Sequence, residues 1–347
     1  MLFVLCTRKY TKIALLTGKK ILFFAPSVFG YQTEIANALI KLGASVDYYD
    51  ERPKNNFIIK ASLRLNKKII KSKIEKYYAS VLRETASKKY DYVLVINLEA
   101  LTPTLIQEIR NQHSESIFIL YMWDSVLNKK SALDAFPLFD WKYSFDKNDA
   151  QNITGVQFRP LFFIDKYNFK KHQVEINKSI DLCFMGTVHS DRYNLIHDIK
   201  VKAESLGLTT YFFMYFPSPV LFWYKKLKDI RFYKASYSEF SFKPLDLNEI
   251  ANMIFKSKVV LDIQHPKQTG LTMRTIEMIG AERKLITTNA NIKEYDFYDE
   301  HNILIIDREQ PVINRDFFTE PYKPIDTTIK YNYSIEGWIK EIFKLDH

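Results

Sequence analysis

Residues 258–289, KVVLDIQHPKQTGLTMRTIEMIGAERKLITTN, predict a strand, a loop, a helix and a second strand. The segments 258–263 and 284–288 are short and mostly apolar, as is typical of buried parallel strands. The loop between them contains Gly270, and Thr272 can cap the helix that follows. Such a βαβ unit indicates an open α/β sheet, in which ligands bind beyond the carboxyl ends of the strands.

Two opposite charges fall at the start of the predicted helix. Arg274 lies in its first turn, where free backbone N–H groups favour an anion. Glu277 follows three residues later, so both side chains share one face of the helix. An arginine and helix N–H groups can hold a diphosphate, and a carboxylate can accept hydrogen bonds from ribose hydroxyls. The alternative is a surface ion pair on an ordinary helix, and the spacing alone does not separate the two interpretations.

The segment 272–288, TMRTIEMIGAERKLITT, resembles the donor-site segment of GT-B glycosyltransferases. It is most similar to the spore-maturation-protein type and to related enzymes of cell-surface polysaccharide synthesis. Their pattern is an Arg, two residues, a Glu, a small-residue helix end and an apolar strand ending in Thr, which here are Arg274, Glu277, Gly280, Ala281 and 285–288. The resemblance implies that Glu277 contacts the nucleotide ribose and that Arg274 contacts the diphosphate.

One position departs from the pattern of the retaining GT-B enzymes. Many of them carry a second Glu eight residues before the ribose Glu, where this chain has Thr269. The resemblance therefore leaves the stereochemical course of the reaction open.

Composition fits a two-domain enzyme. The chain has 347 residues, of which 47% are hydrophobic. It has no G-x-G-x-x-G and no P-loop, so helix N-termini and side chains would have to hold a phosphate. Cys6 and Cys183 are the only cysteines, which indicates no disulfide framework and favours a reducing cytoplasm. No apolar run is long enough for a spanning helix, and no Cys/His cluster indicates a metal.

The order of predicted elements indicates two Rossmann-like domains, and the resemblance implies that they face one cleft, as in the GT-B architecture. The predicted divisions are an N-terminal extension, 1–18; an acceptor domain, 19–165; a polar linker, 166–179; a nucleotide-sugar domain, 180–333; and a final helix, 334–347. Strands are predicted over 19–26, 44–49, 91–97, 116–123, 139–145 and 156–160, and then over 180–185 and 302–306. In GT-B proteins the final helix commonly crosses back to the first domain.

Asp124 is the candidate catalytic residue. It ends the apolar segment YMWD, and a carboxylate at a strand end faces the ligand crevice in this architecture. The resemblance supports this position, because the first domain of the family often shows an apolar strand that ends in an aromatic residue and then Asp. Asp124 would deprotonate the acceptor hydroxyl of an inverting enzyme. The alternative is that it caps the next segment.

The first loop of the second domain adds further donor-site candidates. Family members carry a similar F-x-G-T…R pattern near the donor phosphates, matched here by Gly186, Thr187 and Arg192. Arg192 would face the phosphate or simply start the next helix. The full predicted donor-binding set is Arg274, Glu277, Thr272, Gly270, Gly186, Thr187, Arg192 and Lys267.

Residues 54–78 carry most of the positive charge. Eight cations against Glu75 give a net +7, out of +10 for the whole chain. Isoleucines recur near helical spacing, so a helix with a basic face and an apolar face is expected. Such a helix would contact an anionic membrane surface or a lipid-diphosphate acceptor. The alternatives are a solvated helix face, with the isoleucines packed on the sheet, and nucleic acid, which the lack of interleaved aromatic residues disfavours.

Residues 211–242 are dense in aromatic side chains. A packed flap over the core is expected. A membrane-interface patch is the alternative, because Tyr, Trp and Lys suit that boundary.

The sequence thus predicts a cytoplasmic glycosyltransferase that needs no metal and no cofactor. The absence of D-x-D argues against the metal-dependent GT-A type. The expected donor is a UDP-, GDP- or dTDP-sugar, and the expected acceptor is a saccharide or lipid diphosphate in bacterial surface polysaccharide or lipopolysaccharide synthesis at the inner membrane face. Two alternatives remain: a nucleotide-sugar epimerase on the same scaffold, and a non-catalytic basic protein that binds lipid or nucleic acid.

Overall fold

The structure is a computed structural model that describes residues 15–54, 67–126, 130–171, 178–188, 191–266 and 268–345. The strands in these ranges are β1 Lys20–Ala25, β2 Ser45–Asp50, β3 Tyr92–Ile96, β4 Ile117–Met122, β5 Trp141–Ser144, β6 Val156–Phe158, β7 Ile180–Thr187, β8 Thr210–Tyr215, β9 Phe240–Ser241, β10 Ser257–Asp262, β11 Lys284–Thr287 and β12 Ile303–Ile305. The helices are α1 Tyr31–Lys41, α2 Lys71–Thr85, α3 Pro103–Gln112, α4 Lys147–Asn152, α5 Arg192–Ser205, α6 Pro219–Lys228, α7 Leu247–Lys256, α8 Met273–Ala281, α9 Asp316–Thr319, α10 Thr327–Asn332 and α11 Ile335–Ile342.

The strands form two six-stranded sheets. The first has the order β2-β1-β3-β4-β5-β6 and the second β12-β11-β10-β7-β8-β9. Neighbouring strands run parallel, as in the pairs β1–β3 and β7–β10. In the second sheet the chain builds outward from β7 on one side and then from β10 on the other, which is the strand order of dinucleotide-binding sheets. The strand order therefore reverses between β7 and β10, and a ligand is expected at their carboxyl ends.

The described residues group into two compact units. One comprises the chain up to Tyr121, Ser131–Trp141 and the residues from Phe343 onward, and the other comprises Met122–Lys130 and Lys142–Ile342. The domain boundaries predicted from the sequence remain predictions. Within the predicted linker, 172–177 lie outside the described residues, whereas Tyr167 is fully buried.

The predicted strand, loop, helix and strand of residues 258–289 are all present as β10, α8 and β11. Residues Val259 and Val260 in β10 are fully buried, which explains the apolar run. Thr272 is the N-cap of α8, and its side chain accepts a hydrogen bond from the N–H of Thr275. Helix α7, which precedes β10, starts with a capping box between Asp246 and Glu249. Local sequence signals therefore set where α7 and α8 begin.

The basic segment 54–78 was predicted as a helix, and the first half of α2 lies in its last residues. Residues 55–66 lie outside the described residues, and α2 runs from Lys71 to Thr85, beyond the predicted end. Its isoleucine-bearing face is packed, with Ile70 and Ile74 only 2% and 3% exposed. In the described part of this segment, the alternative of packed isoleucines therefore holds for Ile70 and Ile74, and contact with a membrane stays a prediction.

The aromatic segment is partly a flap and partly regular structure. It contains β8, α6 and β9, and its buried members Phe216, Phe222, Phe232 and Phe240 belong to the core of the second sheet. Pro219 is the first residue of α6, a position at which proline is favoured because its missing N–H would have no partner within the helix. Among the described residues, no helix is both long and apolar enough to cross a membrane.

Candidate functional site

The carboxyl ends of β7 and β10 hold most of the predicted donor-binding residues. Gly186 and Thr187 end β7, and Arg192 is the first residue of α5. The Nη1 of Arg192 donates to the Thr187 carbonyl oxygen over 2.9 Å. Burial lowers the pKa of Arg192, and the negative charge of Asp262, at the end of β10, acts in the opposite direction. The buried Nε of Arg192 has no hydrogen-bond partner in the part of the chain that the structure describes.

Arg274 and Glu277 form the ion pair that their spacing allows. The Nη1 of Arg274 donates to Glu277 Oε2 over 2.7 Å, and the side chains are only 17% and 5% exposed. A solvated surface pair is therefore excluded. The buried Tyr167 lies close to the pair: burial raises the pKa of its hydroxyl, and the charge of Glu277 raises it further. Tyr167 was not predicted as a site residue, since it falls in the predicted linker.

Asp262 fixes the start of α8. Its Oδ2 accepts hydrogen bonds from the hydroxyls of Thr272 and Thr275, over 2.5 and 2.7 Å. A hydroxyl has one proton, so the Thr272 side chain is engaged with Asp262 and positions the helix. A contact between Thr272 and a ligand would therefore use its backbone.

The loop before α8 is held by amide side chains. Asn289 Nδ2 and Asn291 Nδ2 each donate to the Thr269 carbonyl oxygen over 3.2 Å. The Thr269 hydroxyl lies 2.8 Å from both oxygens of Asp146, which caps α4. Gly270 packs on Phe145, whose ring would lie 2.6 Å from an added Cβ. The glycine that the sequence assigned to phosphate binding is thus required for packing.

Arg308 is a cation of this edge that the sequence analysis missed. Its Nη2 donates to both oxygens of Asp191 over 2.9 Å, and its Nη1 donates to the Gln264 carbonyl oxygen and to the Thr288 hydroxyl over 3.2 and 2.9 Å. The only signal for it was its place just after the predicted strand at 302–306. Arg308 ties together the segments that follow β10, β11 and β12 and the start of α5.

The roles of two further predicted site residues, Lys267 and Asp124, are not tested by the contacts described so far. Lys267 lies outside the described residues. Asp124 is exposed and lies two residues beyond β4, in the position predicted for it, and its role in catalysis remains a prediction.

A buried carboxyl follows β2 in the other unit. Glu51 is fully buried, and its Oε1 accepts hydrogen bonds from the N–H groups of Glu99, Ala100 and Leu101 over 2.7, 2.5 and 2.8 Å. Arg52 Nε donates to Glu99 Oε2 over 2.7 Å. Burial outweighs the three N–H donors and raises the pKa of Glu51 to about 7. Glu99, three residues beyond β3, is thus engaged with Arg52.

This raised pKa gives a testable pH dependence. Between the ordinary value of 4.5 and about 7 the folded chain binds more protons at Glu51 than the unfolded chain does. The free energy of unfolding should therefore fall as the pH rises through that window, by at most about 1.4 kcal/mol per pH unit. Glu51→Gln should remove this slope in urea titrations at several pH values. Glu115→Gln, at a side chain 85% exposed, is the control, and parallel profiles for Glu51→Gln and the parent chain would contradict the assignment.

The comparison with solved structures identifies the fold, whereas two comparisons by sequence find no match. Neither a family model nor a curated protein matches the sequence. Among solved structures, the chain is similar to the Anabaena protein Alr3699/HepE in complex with UDP-glucose, with a TM-score of 0.59, 9% identity, and 94% of this chain and 98% of that chain covered. It is also similar to an α,α-trehalose-phosphate synthase (UDP-forming) from Burkholderia xenovorans in complex with glucose-6-phosphate. The TM-score is 0.59 and the identity 10%, with 94% of this chain and 100% of that chain covered. A third similar structure is the UDP-GlcNAc 2-epimerase of Methanocaldococcus jannaschii in complex with UDP-GlcNAc and UDP. Its TM-score is 0.52 and the identity 10%, with 94% of this chain and 99% of that chain covered.

These similarities confirm the predicted fold class. The chain has the GT-B fold, with two Rossmann-like domains built on parallel sheets. At identities this low the comparisons carry the fold alone, since one fold serves many activities. The function must therefore be argued from the residues of the site.

Proposed function

We propose that the chain is a glycosyltransferase that moves a sugar from a nucleotide-sugar donor to an acceptor hydroxyl without a divalent metal. The observation that carries this proposal is the Arg274–Glu277 pair, held with little exposure on the first turns of α8 beside β10. Arginine presents paired N–H donors that match the geometry of a phosphate. A cation placed this way stabilises the charge that develops on a nucleoside diphosphate as it leaves.

Each residue at this edge has a role in the proposal. Arg274 and the N-terminus of α8 hold the diphosphate, and Glu277 accepts hydrogen bonds from the ribose. Arg192 adds a second cation at the end of β7, and its Nε, which has no partner among the described residues, is a donor that a phosphate oxygen would satisfy. Gly186, Thr187 and Lys267 belong to the same donor site. Asp124 is the base that deprotonates the acceptor, in an enzyme that inverts the anomeric centre.

The proposed donor is a UDP-sugar. The similar solved structures hold UDP-glucose or UDP-GlcNAc, or belong to a UDP-forming synthase, and this supports uridine over the GDP and dTDP alternatives. The proposed acceptor is a saccharide or a lipid-linked sugar of bacterial surface polysaccharide or lipopolysaccharide synthesis. This narrower role, and the resemblance to the spore-maturation type, rest on residues 272–288. The reaction would take place in the cytoplasm, where nucleotide sugars are available.

A panel of nucleotides read by thermal unfolding tests the donor site. UDP and UDP-sugars should raise the unfolding temperature of the parent chain, since a ligand that binds only the folded state stabilises it, and GDP and dTDP should raise it less. The same donors, incubated without acceptor, separate the transferase from the epimerase. Released UDP that depends on an added acceptor supports transfer, whereas an epimerised sugar without acceptor would overturn it. No shift with any nucleotide would leave the non-catalytic alternative.

Transfer is expected to continue in excess chelator. The described residues contain no group of three His, Cys, Asp or Glu side chains placed to hold a metal ion, and arginines take the charge of the leaving group in this proposal. The measurement is the transfer rate with EDTA and then with added Mg²⁺ or Mn²⁺. Activity that disappears in EDTA and returns with either ion would contradict the metal-free mechanism.

A further inference from the structure

Helix α6 directs an apolar stripe toward solvent. Val220, Trp223, Tyr224 and Leu227 are 79%, 50%, 58% and 82% exposed. Their spacing places all four on one face of the helix. A helix on a globular domain normally buries such a face, so this arrangement requires an explanation.

The outward orientation of the stripe is fixed by anchors on the opposite side of α6. Phe222 is fully buried, with its ring centroid 5.8 Å from that of Phe216 and 5.1 Å from that of Phe240. Ser218 caps the helix by accepting from the N–H of Leu221, and Lys226 Nζ donates to the Ala235 carbonyl oxygen. Because Phe222 occupies the core, the stripe cannot turn inward without emptying that position.

The apolar surface continues past the end of the helix. Ile230 and Tyr233 are 90% and 74% exposed and follow at the same spacing. Tyr237 stacks on Trp223 with ring centroids 6.0 Å apart and nearly parallel planes. We call these exposed side chains the α6 surface: Val220, Trp223, Tyr224, Leu227, Ile230 and Tyr233.

Positive charge surrounds the α6 surface. Over residues 217–238 the cations are Lys225, Lys226, Lys228, Arg231 and Lys234. Asp229 is the only acidic residue of the segment, which gives a net charge of +4, and it is already bonded to Arg231 over 2.7 Å. A second copy of the chain would bring the same positive charge against this one, so self-association through this face is disfavoured.

The geometry points to an anionic lipid bilayer as the partner of the α6 surface. Trp and Tyr side chains are favoured at the membrane–water interface, where their rings meet the acyl boundary and their polar atoms stay hydrated. Val220, Leu227 and Ile230 would enter the outer part of the acyl region, while the lysines reach anionic headgroups. The contact lies parallel to the membrane plane and involves no spanning segment. The inference is independent of the proposed donor site.

This surface lies within residues 211–242, where a membrane-interface patch was the alternative to a packed flap, and it differs from the basic segment 54–78. The basic segment 54–78 was expected to contact a membrane, but in its described part Ile70 and Ile74 are buried, and the lysines at 71, 73 and 76 are exposed. Only Ile69, 72% exposed, offers an apolar group there. The α6 surface combines several exposed apolar side chains with cations, which is what reversible interfacial binding requires.

Vesicle sedimentation tests the inference. The parent chain should sediment with vesicles of phosphatidylcholine and phosphatidylglycerol in a three-to-one ratio, and much less with phosphatidylcholine alone. The double variant Leu227→Gln, Ile230→Gln should bind the vesicles at least about tenfold more weakly than the parent chain, because it removes apolar groups that would enter the bilayer. Both side chains are more than 80% exposed, so the fold should be unaffected. The matched control, Ile69→Gln and Val312→Gln at residues 72% and 73% exposed, should bind like the parent chain.

Trp223 supplies a second readout. Its fluorescence should shift to shorter wavelength and be quenched by brominated lipid when anionic vesicles are added, and Trp223→Phe should lose that part of the response. High salt should weaken binding, because exposed charges are screened over about 8–10 Å. No sedimentation of the parent chain, equal binding by the parent chain and the Leu227→Gln, Ile230→Gln variant, or loss of binding only in the control variant would overturn the inference. So would a parent chain that is dimeric without lipid and a double variant that is monomeric.

Discussion

Replacing Arg274 with Ala is expected to weaken the binding of UDP-sugars by on the order of 30-fold or more. The variant removes the cation proposed for the diphosphate and leaves the carboxylate of Glu277, only 5% exposed, without its 2.7 Å partner. Glu277→Gln should cause a smaller loss, because a neutral amide forms weaker hydrogen bonds with hydroxyls than a carboxylate does. Isothermal titration with UDP and with UDP-glucose measures both effects.

The double variant Arg274→Ala, Glu277→Gln separates ligand binding from stability. In the single Arg274 variant part of the loss comes from the carboxylate of Glu277 that has lost its arginine partner, and the second substitution removes that charge. Folding of the double variant should therefore recover while UDP affinity stays low. Arg110→Ala is the matched control, since it breaks an arginine–carboxylate pair with Asp140, also 2.7 Å long, in the other unit. Folded variants at 274 and 277 that bind UDP as tightly as the parent chain would disprove the site.

Gly337→Ala is expected to destabilise the chain by about 1–3 kcal/mol, although Ala normally stabilises a helix relative to Gly. Gly337 lies in α11, where an added Cβ would overlap the carbonyl oxygen of Tyr331 and lie 3.0 Å from the Cα of Asn332. Both neighbours are backbone atoms, so the clash cannot be relieved by a change of side-chain rotamer. Thermal and urea unfolding of the parent and variant chains measure the effect.

Gly18→Ala is the control for that substitution. Gly18 has a positive φ of 77° and no atom within 4 Å of an added Cβ, so Ala there would experience only backbone strain. Its cost should be smaller than that of Gly337→Ala. A Gly337 variant as stable as the parent chain would show that α10 and α11 can separate without cost.

Local signals in the sequence were sufficient for the elements that carry the site. The run at 258–263 predicted β10, and Thr272 predicted the start of α8, because caps and apolar runs act over a few residues. The spacing of Arg274 and Glu277 likewise predicted that they share a face. The GT-B fold was predicted from the resemblance of residues 272–288 together with the order of such elements, and the two parallel sheets confirm it.

The remaining contacts depend on residues distant in sequence, and periodicity does not report them. Tyr167 reaches α8 from a segment without clear periodicity, and Arg308 reaches Asp191 across 117 residues. Helix α6 shows the same limit in another form. The spacing of its apolar side chains does not tell which side of the helix faces the core, and the structure buries Phe222 and leaves the stripe exposed. The roles of Asp124 and Lys267 remain predictions.

The hydrogen bonds of Arg308 have a thermodynamic consequence for any ligand at the edge between β7 and β10. They connect Asp191, Gln264 and Thr288, so segments distant in sequence are ordered already when the chain folds. A ligand therefore meets a preorganised surface, and the entropy lost on binding is mostly that of the ligand itself. A substitution that removes the hydrogen bonds of Arg308 would leave these loops less ordered in the free protein, so that ligand binding would have to order them. The affinity for the ligand would then fall, even though Arg308 need not contact it.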